Sequence, residues 1–233
     1  MLGMTIHTLL PENHLSAESK DVIKLGMGLI ATMSALVLAL LTNSAKGSYD
    51  TQRNEVTQLS ANVILLDRVL AHYGPETKES RDLMKLSVAA MIDRIWPSDP
   101  VETAKSGPTT ASGELFFDKI EELTPKNEVQ HLLQAQALSL SVGIAQARLL
   151  LFEQGGRSIP MPFLVLLIFW VTTIFLSFGL FAPRNATVIV TLFLCALSVA
   201  GAIFLIMELD RPFGGLIEIS SAPLRNAIVS IGK

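Results

Sequence analysis

Charged residues are absent from three long stretches of the chain. Leu25 to Thr42, Ile159 to Pro183 and Asn185 to Met207 contain no Asp, Glu, Lys or Arg. As helices, stretches of this length cross the roughly 30 Å hydrocarbon layer of a bilayer, with help from flanking residues in the first case. We therefore predict transmembrane helices at residues 21–42, 159–183 and 185–209, after an N-terminal segment of residues 1–20.

The second and third spans are separated by a very short link. The turn runs from Ala182 to Ala186, where the two spans meet, and it contains a proline and an asparagine. A connection of about five residues joins helices that are antiparallel neighbours. The sequence therefore predicts a C-terminal helical hairpin in the membrane.

Residues 43–158 show a different pattern, in which apolar residues recur every three or four positions. One such seam consists of Val56, Leu59, Val63, Leu66, Leu70 and Tyr73. It predicts an amphipathic helix that continues the first span and ends at Gly74 and Pro75. A similar spacing from Met84 to Ile95 predicts the next helix.

The rest of this segment is also predicted to be helical. We expect a loop over Ser98–Gly113, then helices over Leu115–Leu123 and Val129–Glu153. Nothing predicts a strand, so the fold class is all-α, with a helical soluble domain at 43–158 between the first span and the hairpin. Residues 210–233 form a tail that is expected to contain a short amphipathic helix after Ser221.

Composition fits this division of the chain. The whole sequence is 17% charged, against about 25% in a typical soluble domain. Residues 43–158 alone carry 12 Lys and Arg and 15 Asp and Glu, which is an ordinary soluble composition. The chain is therefore neither a single soluble globule nor a basic nucleic-acid-binding protein, and the lone Cys195 excludes an intrachain disulfide.

Small residues form stripes on two of the spans. The first stripe contains Gly28, Ala31, Ala35 and Ala39, and the third span offers Ala196 and Ala200. Small side chains let helices approach closely in lipid. The favoured interpretation is helix packing within one subunit, and the alternative is a seam between subunits or along a pore.

No catalytic or cofactor-binding motif is recognisable. The histidines show no pair at metal-ligand spacing, and there is no phosphate-binding glycine loop or nucleophile motif. We therefore expect no enzymatic activity and no cofactor, and the sequence leaves metal binding open.

The unusual polar residues lie at the ends of the spans. Glu208, Asp210 and Arg211 follow the third span, and Pro212, Gly214 and Gly215 then predict a structural turn. Anchoring at the membrane interface is the favoured role of these charges. The alternative places them at the mouth of a pore in an oligomer, where a ring of charges would act on ions. Ser34, Thr42 and Asn43 are the matching candidates on the first span.

Basic residues near the span ends favour a cytoplasmic helical domain. The domain side and the tail carry six, against three on the opposite side. The six are Lys46, Arg53, Arg148, Arg157, Arg211 and Arg225. The three are Lys20, Lys24 and Arg184.

Several motifs resemble a bacterial, bestrophin-like membrane protein family of unknown function. They include Leu10-Pro-Glu-Asn-His, Ser48-Tyr-Asp-Thr-Gln-Arg, Arg94-Ile-Trp-Pro97 and Glu208-Leu-Asp-Arg-Pro-Phe-Gly-Gly, and the resemblance extends from Leu10 to about Ala227. It implies the architecture of bestrophins, which are oligomeric chloride-permeable channels with a membrane layer and a cytosolic helical layer. It also implies a further helix before Leu10, giving four spans. The hydrophobic-neck and calcium-clasp motifs of true bestrophins are not recognisable, so no pore residue or calcium site is carried over.

Two functions follow from these observations. The first is an oligomeric ion-channel subunit in the bacterial inner membrane, a homo-oligomer in the lipid bilayer that conducts small inorganic ions, with anions slightly favoured by the resemblance alone. If there is a pore, the first span is its expected lining. The second is a non-conducting scaffold or accessory subunit whose helical domain binds a partner through the heptad-like seam. A transporter is less favoured, because no charged residue lies within a span.

Overall fold

The protein is helical throughout the part of the chain that the structure describes. This structure, a computed structural model, describes residues 17–97, 110–154, 159–183 and 185–232, and no strand occurs among them. The all-α prediction is therefore confirmed.

One long helix, α1, runs without a break over Ala17–Tyr73. The expectation that the first span continues into the amphipathic helix holds, and α1 includes residues before the predicted start at Asp21. Gly74 ends it with a φ of 143°, a conformation that favours glycine. A single 3₁₀ turn, Pro75–Thr77, follows, and the Thr77 hydroxyl donates to the carbonyl oxygen of Leu70 at 2.7 Å.

Among the described residues, three helices follow α1 before the hairpin. They are α2 (Lys78–Ile95), α3 (Thr110–Glu121) and α4 (Glu128–Gln154). The predicted loop over Ser98–Gly113 is wrong at its end, because Thr110–Gly113 belong to α3. Buried Phe116 and Ile120 anchor α3 by packing, which outweighs the low helix propensity of Thr, Ser and Gly at its start. Residues 98–109 lie outside the described part.

The hairpin consists of α5 (Met161–Phe181) and α6 (Ala186–Leu209). Pro162 lies in the first turn of α5, where a missing N–H group costs little. Asn185 begins α6, since its side-chain oxygen accepts a hydrogen bond from the Val188 amide at 2.8 Å. A last helix, α7, covers Ala222–Ser230 in the predicted tail.

The fold divides into two compact units. The described residues within 1–49 and 157–210 form what we call the span unit, and those within 50–156 and 211–233 form the helical unit. The first boundary falls inside α1, so this helix contributes to both units.

The span unit exposes most of its apolar side chains. Among the described residues, three helices are long and apolar enough to cross a membrane. Leu25, Leu36 and Phe193 are 77%, 72% and 66% exposed. Apolar surface on this scale requires lipid or further protein to cover it. The span unit therefore has the surface of an integral membrane protein.

The helical unit is built around the heptad-like seam of α1. All six of its residues, from Val56 to Tyr73, are no more than 3% exposed. The suggestion that this seam binds a partner is wrong, because its side chains already form the core of the chain's own helical unit. In that unit α2 contacts α3 and α7, and α3 contacts α4.

Candidate functional site

The small residues of the first span lie on an exposed face of α1. Gly28, Ala31, Ala35 and Ala39 are all exposed, and a Cβ atom built on Gly28 would meet nothing within 4 Å. Among the described residues of one subunit, no neighbouring helix covers this stripe, and helix packing by these residues stays a prediction. Because the side chains of the stripe are small, another helix or molecule can approach the backbone of α1 closely along this face.

Polar side chains extend this face toward its C-terminal end. Thr42 follows Ala39 by three residues, and its exposed hydroxyl donates to the Leu38 carbonyl at 2.8 Å. Asn43 is exposed beside it. Lysines stand one turn beyond each end of the face, at positions 24 and 46. We call the surface formed by Gly28, Ala31, Ala35, Ala39 and Thr42 the small-residue face.

Ser34 lies on a different side of α1. It is only 7% exposed, and its hydroxyl donates to the Ile30 carbonyl at 2.7 Å. The structure thus separates Ser34 from the exposed candidates Thr42 and Asn43, and its burial argues against contact with an aqueous path. On α6, Ala196 is half-buried and Ala200 is exposed.

The end of α6 is tied to the start of the hairpin through Asp210. Its Oδ1 accepts a hydrogen bond from the backbone amide of Ile159 at 3.1 Å. Both residues belong to the span unit. The carboxylate therefore satisfies a backbone donor just before α5, which is a positioning role in addition to its charge. Glu208 is half-buried on the last turn of α6.

The segment after Asp210 forms a folded turn in the helical unit. The Ile219 amide donates to the Pro212 carbonyl at 2.7 Å, and the Gly214 amide donates to the Arg211 carbonyl at 3.1 Å. Gly215 has a φ of 110°, whereas Gly214 does not adopt a positive φ. Only one of the two glycines therefore needs its special conformational freedom. The Arg211 side chain is exposed.

Trp96 holds this turn in place, a role that no sequence pattern predicted. Its indole Nε1 donates to the Ile219 carbonyl at 2.7 Å. Its ring also meets Phe213 edge to face, with centroids 5.4 Å apart. Both aromatic residues lie in motifs that stand out in the sequence, Arg94-Ile-Trp-Pro97 and Asp210-Arg-Pro-Phe213. Neither motif, however, indicates that the two segments are in contact.

A largely buried ion pair joins α1 to α2 in the helical unit. Arg81 binds both carboxylate oxygens of Asp67, with nitrogen–oxygen distances of 2.7 and 3.0 Å. Hydrogen bonding to this carboxylate raises the pKa of Arg81 above its usual value. Among the described residues, no group of three His, Cys, Asp or Glu side chains could hold a metal ion.

The fold and its three apolar helices define an all-helical integral membrane protein. The family model for the Bestrophin-like domain matches residues 1–224, so the chain belongs to the bestrophin-like family. The resemblance inferred from the sequence motifs is thereby confirmed.

Solved structures agree with this assignment at the level of the fold. A bacterial bestrophin homologue from Klebsiella pneumoniae, carrying a leucine-to-threonine substitution, aligns with a TM-score of 0.70 and 13% identity. The alignment covers 99% of this chain and 95% of that one. A structure of the Klebsiella pneumoniae homologue that was phased with zinc aligns with a TM-score of 0.69 and 13% identity. That alignment covers 99% of this chain and 94% of the homologue. The chain matches none of the curated proteins with which it was compared.

Proposed function

We propose that the protein is a subunit of a homo-oligomeric ion channel. The observation that carries this proposal is the exposed small-residue face of α1, in a chain that belongs to the bestrophin-like family. Small side chains leave open space beside a helix, and a closed ring of such faces would enclose a path for ions.

Exposed apolar residues on the helical unit support assembly. Leu132, Val142 and Leu149 on α4 are 71%, 43% and 61% exposed. These side chains lie outside the apolar spans, so lipid tails do not account for them. An interface with another copy of the chain would cover them, because apolar residues concentrate in the cores of homo-oligomer interfaces.

The polar ends of the spans are the proposed mouths. Thr42 and Asn43 continue the small-residue face, and Glu208 and Arg211 follow the last span. A charge at a narrow mouth changes the local concentration of ions of each sign. We assign Asp210 instead to positioning the start of the hairpin, since its carboxylate accepts a hydrogen bond from the Ile159 amide.

We further propose a bacterial inner-membrane location with the helical unit in the cytoplasm. The six basic residues near span ends on the domain side and in the tail, against three on the other, support this orientation. Anion conduction is supported only by the resemblance to bestrophins.

Recording in planar bilayers tests the proposal. The purified chain, reconstituted under asymmetric salt at several calcium concentrations and pH values, should give currents above those of protein-free bilayers. The sign of the reversal potential then assigns anions or cations. Glu208→Gln should move the reversal potential relative to the unmodified protein. Absence of current under all these conditions would overturn the channel assignment and leave the non-conducting scaffold.

A further inference from the structure

A pocket of about 290 Å³ lies within the helical unit, between α2, α3 and α4. All of its lining residues belong to this one unit. Its apolar wall consists of Met84, Val88, Met91, Phe116, Phe117 and Ile144. Pockets near this size with apolar walls and a few polar groups are typical of small-molecule sites.

Charges of both signs border this pocket. Arg148 is half-buried, and Glu114 and Asp118 stand one helical turn apart on α3. Among the residues that the structure describes, no ion pair joins Arg148 to either carboxylate. Opposite charges that share a cavity without pairing leave room for a ligand that bears both complementary charges.

The absence of a side chain at Gly113 leaves space for the guanidinium group of Arg148. A Cβ atom at this glycine would stand 3.5 Å from Nη1 of Arg148. The guanidinium therefore lies close to the backbone of the first turn of α3. On the same helix α4, two turns before Arg148, the buried Ser141 hydroxyl donates to the Ala137 carbonyl at 2.7 Å. Its oxygen lone pairs can therefore accept a hydrogen bond from a ligand.

We propose that this pocket binds a free amino acid with a large apolar side chain. The side chain occupies the apolar wall, Arg148 binds the carboxylate, and Glu114 with Asp118 binds the ammonium group. Glu114 and Asp118 are exposed, so a purely anionic amphiphile would be repelled by two solvated carboxylates. A purely cationic one would leave the half-buried Arg148 without a counter-charge. This site does not depend on ion conduction.

Titration calorimetry with three probes tests the site on the full chain in detergent. Phenylalanine carries both charges, phenylpropionate only the carboxylate and phenethylamine only the ammonium group. Empty micelles supply the baseline for each probe. Phenylalanine should bind about tenfold more tightly than either analogue, since each lost charge removes a charge-assisted hydrogen bond.

Variants separate the two charge contacts. Arg148→Gln should weaken phenylalanine and phenylpropionate by about tenfold and leave phenethylamine unchanged. The double variant Glu114→Gln with Asp118→Asn should weaken the binding of phenylalanine and phenethylamine and leave that of phenylpropionate unchanged. Lys85→Gln, which removes an exposed charge of α2 outside the pocket, serves as the matched control.

Three outcomes would overturn the proposal. Equal binding of phenylalanine and phenylpropionate would assign the pocket to an anionic amphiphile. Binding of none of the three probes would remove the small-molecule site. Loss of the oligomer in Ala145→Phe, together with no binding by the unmodified protein, would show that a side chain of a second copy fills the pocket. Thermal unfolding of each variant verifies that it is folded.

Discussion

At the scale of single residues, the Asp67–Arg81 pair is the most consequential polar contact of the helical unit. The Asp67 side chain is only 5% exposed, and that of Arg81 is 21% exposed. Removing one partner of such a pair leaves the other charge buried without compensation. No sequence pattern indicates this contact, because the two residues are fourteen positions apart on different helices.

Arg81→Gln should lower the free energy of unfolding by about 2–4 kcal/mol, because it strands the Asp67 carboxylate. Lys78→Gln is the matched control, since the Lys78–Asp82 pair is exposed on the same helix and is expected to contribute within about 0.5 kcal/mol. Chemical unfolding in detergent, followed by circular dichroism, measures both. Equal effects of the two variants would contradict the structural role of the buried pair.

Asp210 allows its positioning role and its charge to be separated. Asp210→Asn keeps a side-chain oxygen for the Ile159 amide and should retain stability, whereas Asp210→Ala should lose about 1 kcal/mol. Both variants remove the same charge. Thermal unfolding should therefore distinguish them, while bilayer recording should find the permeability ratio of Asp210→Asn unchanged. A shift in that ratio common to both variants would place the carboxylate at a pore mouth.

At the scale of elements, the seam of α1 belongs to the core of the helical unit. Leu66 is fully buried, whereas its neighbour Leu65 is 46% exposed. Leu66→Ala should lower the free energy of unfolding by about 2–4 kcal/mol, through lost burial and a residual cavity. Leu65→Ala should cost less than about 1 kcal/mol. If the two variants unfold alike, the seam is not the core.

Hydrophobic periodicity predicts most of the helices but not what covers each face. The apolar hairpin, the stop at Gly74 and the continuation of the first span all follow from local chemistry. The start of α3 does not, because burial of Phe116 and Ile120 is a tertiary effect. Spacing alone also left the seam open to either core packing or partner binding, since both uses require the same apolar stripe.

The candidate site was less predictable than the fold for the same reason. The sequence placed Ser34 with Thr42 as pore candidates, although their side chains leave α1 in different directions. It also favoured packing of the small-residue stripe within one subunit, whereas Ala31, Ala35 and Ala39 are exposed among the described residues. Contacts between distant segments, such as Trp96 with Ile219, carry no local signature.

At the scale of the whole molecule, the chain exposes more apolar surface than a solitary soluble subunit can sustain. The span unit presents its apolar helices outward, and the helical unit exposes leucines on α4. Lipid accounts for the first surface, and association of copies would account for the second. The bilayer and the proposed oligomer together thus supply the cover that the isolated chain lacks.

Cysteine accessibility on α1 tests the central claim most directly. In a Cys195→Ser background, which removes the exposed native thiol, Ala35→Cys lies on the small-residue face and Leu36→Cys on an adjacent apolar side. If the first span lines the ion path, a water-soluble, charged thiol reagent should reduce the bilayer current of Ala35→Cys and leave that of Leu36→Cys unchanged. Equal responses of the two variants, or no current from either, would contradict the account.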